Sequence, residues 1–184
     1  MALIGSDYST LNKGDIAPNF DLMSTEGRTH SLNEFNGKKA VLIVFICNHC
    51  TYVIPKLEEL NRISEDFSNK GLVVLGINSN DERNYPEDSF ENMKKLVDDE
   101  KIKFMYLRDD TQEVAKAYGA ACTPDPFLFN SKMELVFHSR IDDTHGDNPV
   151  ITHELYNVIE EFLKHKKISV EEQPSMGCSI KWKY

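Results

Sequence analysis

The sequence predicts an α/β fold, and two observations carry that expectation. Ala40-Val41-Leu42-Ile43-Val44-Phe45-Ile46 and Leu72-Val73-Val74-Leu75-Gly76-Ile77 are continuous apolar runs rich in β-branched residues. That is the pattern of strands buried on both faces. Between them Leu57, Leu60, Ile63 and Phe67 recur at helical spacing, and Gly71 ends the segment. Strand, helix, strand with short connections implies a parallel, right-handed βαβ unit.

The remaining elements follow from turn and capping signals. Phe20-Asp21-Leu22 and Arg28 to Leu32 read as a hairpin across Glu26-Gly27. Phe90, Met93, Leu96 and Val97 mark a second helix, and Phe104 to Leu107 a strand. Asp110 with Glu113 resembles a capping box for a short helix through Val114, Ala117 and Tyr118, closed by Gly119. Phe127-Leu128-Phe129 and Glu134 to His138 read as a hairpin over Asn130-Ser131-Lys132. Asn148-Pro149 is expected to open the last helix, whose apolar face is Ile151, Leu155, Val158, Ile159, Phe162 and Leu163. Residues 1–13 read as a loosely organised N-terminal segment, 14–168 as the domain, and 169–184 as a tail that packs on it through Ile180 and Trp182.

Bulk properties exclude several classes. The 184 residues suffice for one domain with a real core, and 40% hydrophobic with 28% charged residues is ordinary globular composition. A net charge of −9 argues against nucleic acid or an anionic membrane surface as partner. Neither a membrane-spanning stretch nor a secretory signal is seen, so a cytoplasmic location is expected.

The chemistry lies in Cys47-Asn48-His49-Cys50, at the end of a buried strand. In open α/β sheets, function collects beyond the carboxyl ends of the strands. A following helix N-terminus presents N–H groups and partial positive charge, which favour thiolate over thiol. Two residues between the cysteines let the sulfurs meet, so one thiolate attacks a disulfide and the other resolves it. His49, if partly protonated, further stabilises a thiolate. The competing reading is metal: Cys-x-x-Cys is half of a zinc site, and Cys47, His49, Cys50 and the distant Cys178 would make a softer one. With no second close Cys or His pair, redox chemistry is favoured, and no resident metal or cofactor is expected.

Three features together carry a resemblance. They are Gly14-x-x-Ala17-Pro18-x-Phe20-x-Leu22, the strand ending in Cys-x-x-Cys, and Thr123-Pro124 before a late strand. The chain resembles the thioredoxin-like superfamily, and more closely its AhpC/TSA redoxin branch, including bacterial proteins with a Cys-Asn-His-Cys motif. The resemblance implies a thioredoxin-like fold: a central mixed β-sheet flanked by helices, with an N-terminal β-hairpin extension. It further implies that Pro124 is a cis-proline lying against the active cysteines, with the backbone before it, at Thr123, left open to pair with a bound peptide.

The family pattern fits in two registers. Pro55 at its distance from the pair makes Cys47 the attacker. An aromatic at the end of the preceding strand, Phe45, has the expected spacing only if Cys50 attacks and Cys47 resolves. Cys50 also stands nearer the helix N-terminus, which favours the second register.

Peroxiredoxins carry a Thr where this chain has Cys47, and an Arg near the proline loop. Ala121-Cys122-Thr123-Pro124-Asp125-Pro126 has none, and nothing in the sequence brings Arg140 there. Disulfide exchange is therefore expected over peroxide reduction. Cys122 and Cys178 read either as secondary redox thiols or as small buried hydrophobes. Asn78-Ser79-Asn80-Asp81 reads as a polar loop, and Asp142-Asp143 with His145 and Asp147 as a solvated acidic turn. The expected partners are protein or small-molecule disulfides and a thioredoxin-type reductant.

Overall fold

The computed structural model describes residues 3–144 and 149–184. The strands are β1 (Leu3–Gly5), β2 (Asp21–Ser24), β3 (Thr29–Ser31), β4 (Ala40–Phe45), β5 (Leu72–Asn78), β6 (Met105–Arg108), β7 (Cys122–Thr123), β8 (Asp125–Asn130), β9 (Leu135–His138) and β10 (Met176–Ser179). The helices are α1 (Leu57–Ser68), α2 (Phe90–Asp99), α3 (Glu113–Tyr118) and α4 (Glu154–His165). Seven strands form one sheet in the order β3-β2-β6-β5-β4-β8-β9. β4, β5 and β6 run parallel, while β2, β8 and β9 pair antiparallel with their neighbours. The sheet is thus mixed, flanked by helices, with the β2–β3 hairpin on one edge, as expected of a thioredoxin-like fold.

The apolar run of β4 explains why it sits at the centre. Side chains alternate across a strand, so a strand covered on both faces must be apolar throughout. Ala40, Leu42 and Val44, with Ile46 after them, pack with α1, α4 and Met93 of α2. Val41, Ile43 and Phe45 face the other way, toward Phe127, Phe129, Phe35 and Tyr118 of α3. Phe45 meets the Tyr118 and Phe127 rings edge-on at 5.6 and 5.9 Å, a favourable aromatic arrangement. This anchoring fixes the end of β4, and with it the place where Cys47 emerges.

Several sequence expectations are corrected. The N-terminal segment is tied down at its start, where β1 pairs antiparallel with β10, Leu3 opposite Cys178. Asp110 and Glu113 make no capping box. Gln112 precedes α3 in a left-handed conformation, φ 64°, and the buried Asp109 side chain accepts from the Ala115 amide instead. Gly119 does close α3 at φ 69°, a backbone that favours glycine. α4 begins at Glu154, and Ile151 is exposed outside it. Pro149 is therefore not in the helix, and Asn148 lies outside the described residues. Asp142 is not solvated. It is buried and 2.6 Å from the Lys56 ammonium, while His145 and Asp147 lie outside the described residues.

Among the described residues, no helix is long and apolar enough to cross a membrane.

Candidate active site around Thr123

Cys47 follows β4 directly, and the chain turns through Asn48 and His49 to Cys50. The Cys50 carbonyl accepts from the Val53 and Ile54 amides at 2.9 and 3.1 Å. A 3-10 turn at Ile54–Lys56 then holds Pro55, and the α-helix proper starts only at Leu57. Cys50 is therefore set back from the α1 N-terminus. The amide that reaches its sulfur is that of Tyr52, at 3.4 Å. Pro55 sits in the first turn, where it disturbs no helical ladder.

Thr123 is the hub. The Thr123–Pro124 peptide bond is cis. The Thr123 hydroxyl lies 3.2 Å from Cys47 Sγ, and the Cys50 thiol, when protonated, donates to the Thr123 carbonyl at 3.4 Å. The edge of Thr123 is not open: β10 pairs with β7, Cys178 opposite Thr123 and Ser179 opposite Cys122. The expectation that this backbone stands ready for a peptide is thereby corrected, because the chain's own tail occupies it. Gly177 is what lets the tail lie so close, since a Cβ there would overlap the Thr123 carbonyl. Ser175 secures one end by donating to the Pro124 carbonyl at 2.5 Å, and the Ile180 amide secures the other on Ala121 at 2.9 Å.

The sulfurs differ sharply. The Cys50 pKa is pulled down to about 5, first by the Cys47 thiol, then by the thiol and amide of Cys178 and the Tyr52 amide, against the opposing effect of burial. Cys47 is pushed well above the usual thiol range because it donates to Cys50, is buried and lies near the Asp88 carboxylate. Cys178 rises to about 12, through burial and then its contact with Cys50. Burial pushes Cys122 up as well. The Cys122 thiol contacts the carbonyls of Pro124 and Ser175 at 3.7 and 3.8 Å, so its bonds are to backbone.

His49 faces a residue the sequence did not single out. Its Nδ1 is 2.9 Å from Asp88 Oδ2, without the alignment of a hydrogen bond, and its ring stacks at 6.0 Å on Tyr85. Asp88 is fully buried. It accepts from the Asn48 amide at 2.7 Å and from the side chains of Asn78 and Asn80 at 3.3 and 2.7 Å. The Asn78–Asp81 segment is thus a buried scaffold and not an exposed polar loop. No spacing relates Asp88 to the cysteines; only the fold of β5 and the turn before α2 brings it there.

Cys47, His49 and Asp88 each offer a ligand atom within 4.8 Å of the others. This is a different set from the Cys47, His49, Cys50 and Cys178 group the sequence suggested. All four cysteines are reduced and buried. Arg140 reaches a cavity of about 20 Å³ that Pro124 and Tyr52 also line, so the fold does bring it near the proline loop. Its guanidinium is already held by Glu154 through two contacts of 2.7 and 2.5 Å.

Comparison with known proteins agrees with this architecture. A crystal structure of a conserved protein from Geobacillus kaustophilus is 40% identical, with a TM-score of 0.93 over 100% of this chain and 97% of that one. The thiol-disulfide oxidoreductase ResA of Geobacillus thermodenitrificans is 28% identical over 119 residues, 64% of this chain and 63% of that protein. Chloroplastic peroxiredoxin Q of Oryza sativa subsp. japonica is 28% identical over 109 residues, 59% of this chain and 46% of that protein. The chain thus matches about half to two thirds of the length of these curated relatives. The model of the AhpC/TSA family matches residues 13–138, which include the Cys47–Cys50 turn, Thr123 and Pro124, and the chain belongs to that family.

Proposed function

We propose that this protein is a thiol–disulfide oxidoreductase in which Cys50 attacks and Cys47 resolves. The observation that carries the reading is the asymmetry of the pair: Cys50 is pulled down to about 5 while Cys47 is held high. At neutral pH Cys50 is then the thiolate and Cys47 its hydrogen-bond donor. The thiolate attacks one sulfur of a substrate disulfide, forms a mixed disulfide and expels the other sulfur as a thiolate. Cys47, deprotonated, then attacks Cys50 Sγ, closes the Cys47–Cys50 disulfide and expels the second substrate thiolate. A thioredoxin-type dithiol restores the reduced pair. Thr123 positions both sulfurs, and His49 faces Asp88. The placement among proteins with a Cys-Asn-His-Cys motif, a cytoplasmic setting, and protein or small-molecule disulfides as substrates belong to the same proposal.

Exchange is favoured over peroxide reduction because Arg140 is neutralised by Glu154 and Cys47 stands where peroxiredoxins carry a Thr. The test mixes reduced protein with a protein disulfide and, separately, with hydrogen peroxide. Disulfide reduction that disappears in Cys50→Ser is expected. Rapid peroxide consumption with no disulfide reduction overturns the assignment.

The Cys47, His49, Asp88 cluster supports a second reading, a zinc or copper site. Against it, Asp88 is already engaged by three donors and Cys47 is held as a thiol. Metal analysis of anaerobically purified protein separates the two; stoichiometric metal held by Cys47 displaces the redox reading.

A further inference from the structure

Three thiols, not two, meet around one residue. Thr123 touches Cys47 through its hydroxyl and Cys50 through its carbonyl, and it faces Cys178 across the β7–β10 pair. Cys178 is buried, and its thiol and amide help to lower the Cys50 pKa. Its position is built rather than incidental. β1 flanks β10 on its other side, Gly177 permits the close approach to Thr123, and the tail beyond is tied down. The Lys181 amide donates to Asn80 Oδ1 at 2.9 Å, and the Lys181 carbonyl accepts from the Asp81 amide and the Gln112 side chain at 2.8 Å each. Cys47 and Cys178 both act on the Cys50 sulfur, and the pair-only scheme leaves Cys178 without a role.

We propose that Cys178 is a third redox thiol, which exchanges disulfide with Cys50 within the chain and so carries the oxidised state from the Cys47–Cys50 turn onto the C-terminal strand. The proposal rests on Cys50 as the attacking sulfur. The step starts from the Cys47–Cys50 disulfide. The Cys178 thiolate attacks Cys50 Sγ, the Cys50–Cys178 bond forms, and the Cys47–Cys50 bond breaks. The electron pair leaves on Cys47 Sγ, which takes up the proton Cys178 gave away. One disulfide and one thiol stand on each side of the step, so no outside oxidant is consumed.

The electrostatics agree with that direction of use. In the reduced protein Cys178 is held protonated by burial and by its contact with the Cys50 thiolate. Once Cys50 enters a disulfide its charge is gone, and that second cause disappears. Lys181, which favours the Cys178 thiolate, remains. Oxidation of Cys50 therefore lowers the barrier to deprotonating Cys178, while burial, the larger cause, continues to oppose it. The strand that delivers Cys178 also fills the backbone edge at Thr123, so an extended peptide reaches that edge only by displacing β10.

The test uses full-length Cys47→Ser, which keeps a hydroxyl beside Thr123 and needs no change at Cys178. Reduced protein is treated with oxidised glutathione at neutral pH, quenched in acid, alkylated, digested and mapped by mass spectrometry. Cys50 first takes glutathione; Cys178 then displaces it. The expected result is a Cys50–Cys178 disulfide in more than about half of the chains, with the glutathione released. Glutathione retained on Cys50 with Cys178 recovered as a thiol overturns the relay. Cys47→Ser/Cys178→Ser separates the two levels. If Cys50 takes glutathione in that variant while Cys47→Ser fails to close, only the relay is wrong. If Cys50 takes none, the assignment of Cys50 as attacker is wrong and the relay falls with it.

Discussion

Cys178 stands directly opposite Thr123 in the antiparallel pair of β10 and β7, so the C-terminal strand is a wall of the site. The thiols of the Cys47–Cys50 turn are consequently buried. Access to them is linked to how firmly residues 175–181 are held.

Gly177→Ala tests that linkage. The added methyl overlaps the Thr123 carbonyl, which is backbone and does not swing aside. The strand must shift outward, at an expected loss of about 1–3 kcal/mol in denaturant unfolding. Alkylation of Cys50 in the reduced protein is expected to quicken by about tenfold or more, as local opening becomes cheaper. Unchanged stability and unchanged alkylation would contradict the packing described.

The reactivity of Cys50 is expected to follow a pH profile centred near its lowered value of about 5, well below an ordinary thiol. Iodoacetamide rates measured across pH report it directly. The sign for stability follows from linkage. A folded pKa below the unfolded one contributes stability that is present above the unfolded thiol range and lost as pH falls toward about 5. Cys47 and Cys178 act oppositely, their contributions being lost as pH rises through their elevated values. Cys47→Ala removes the largest stabilising donor and is expected to move the Cys50 midpoint upward.

Asp88→Asn separates charge from scaffold. The carboxylate raises the Cys47 pKa, so its loss is expected to shift the resolving step to lower pH in single-turnover kinetics. The same change replaces an acceptor facing the Asn80 amide with a donor, at a cost of about 1–3 kcal/mol. A lower melting temperature with an unaltered pH profile would make Asp88 structural only.

Lys56 and Asp142 form a buried pair at 2.6 Å, with Thr144 sharing the ammonium at 2.8 Å. Lys56→Met leaves Asp142 buried without its partner, and a loss of about 3–5 kcal/mol is expected. Lys56→Met/Asp142→Leu is expected to recover much of it, because the stranded charge is gone. A double-mutant cycle in urea measures both.

Much of the fold was legible because strands covered on both faces must be apolar throughout, and Ala40 to Ile46 and Leu72 to Ile77 are. The end of α3 was legible for a local reason, the left-handed backbone that Gly119 accepts. Its start was not, because Asp109 reaches Ala115 from a position the capping pattern does not weigh. The start of α4 was also misread, since Pro149 permits a helix there without requiring one, and the helix forms only where Leu155 finds the core.

The candidate site divides the same way. Sequence by itself determined that Cys47 and Cys50 emerge together from a central strand, because that depends only on the run before them and their spacing. The resemblance pointed to Thr123 and Pro124, and Cys178 read as a possible secondary thiol, but only the tertiary structure decided what each of them touches. Thr123 is far along the chain from the cysteines, Asp88 is joined to them by no periodicity, and Cys178 arrives on a strand only four residues long. The local Cys47–Cys50 contact sets the two thiols apart first, and Cys178 and Asp88, which add to the difference, are brought there only when the sheet has closed.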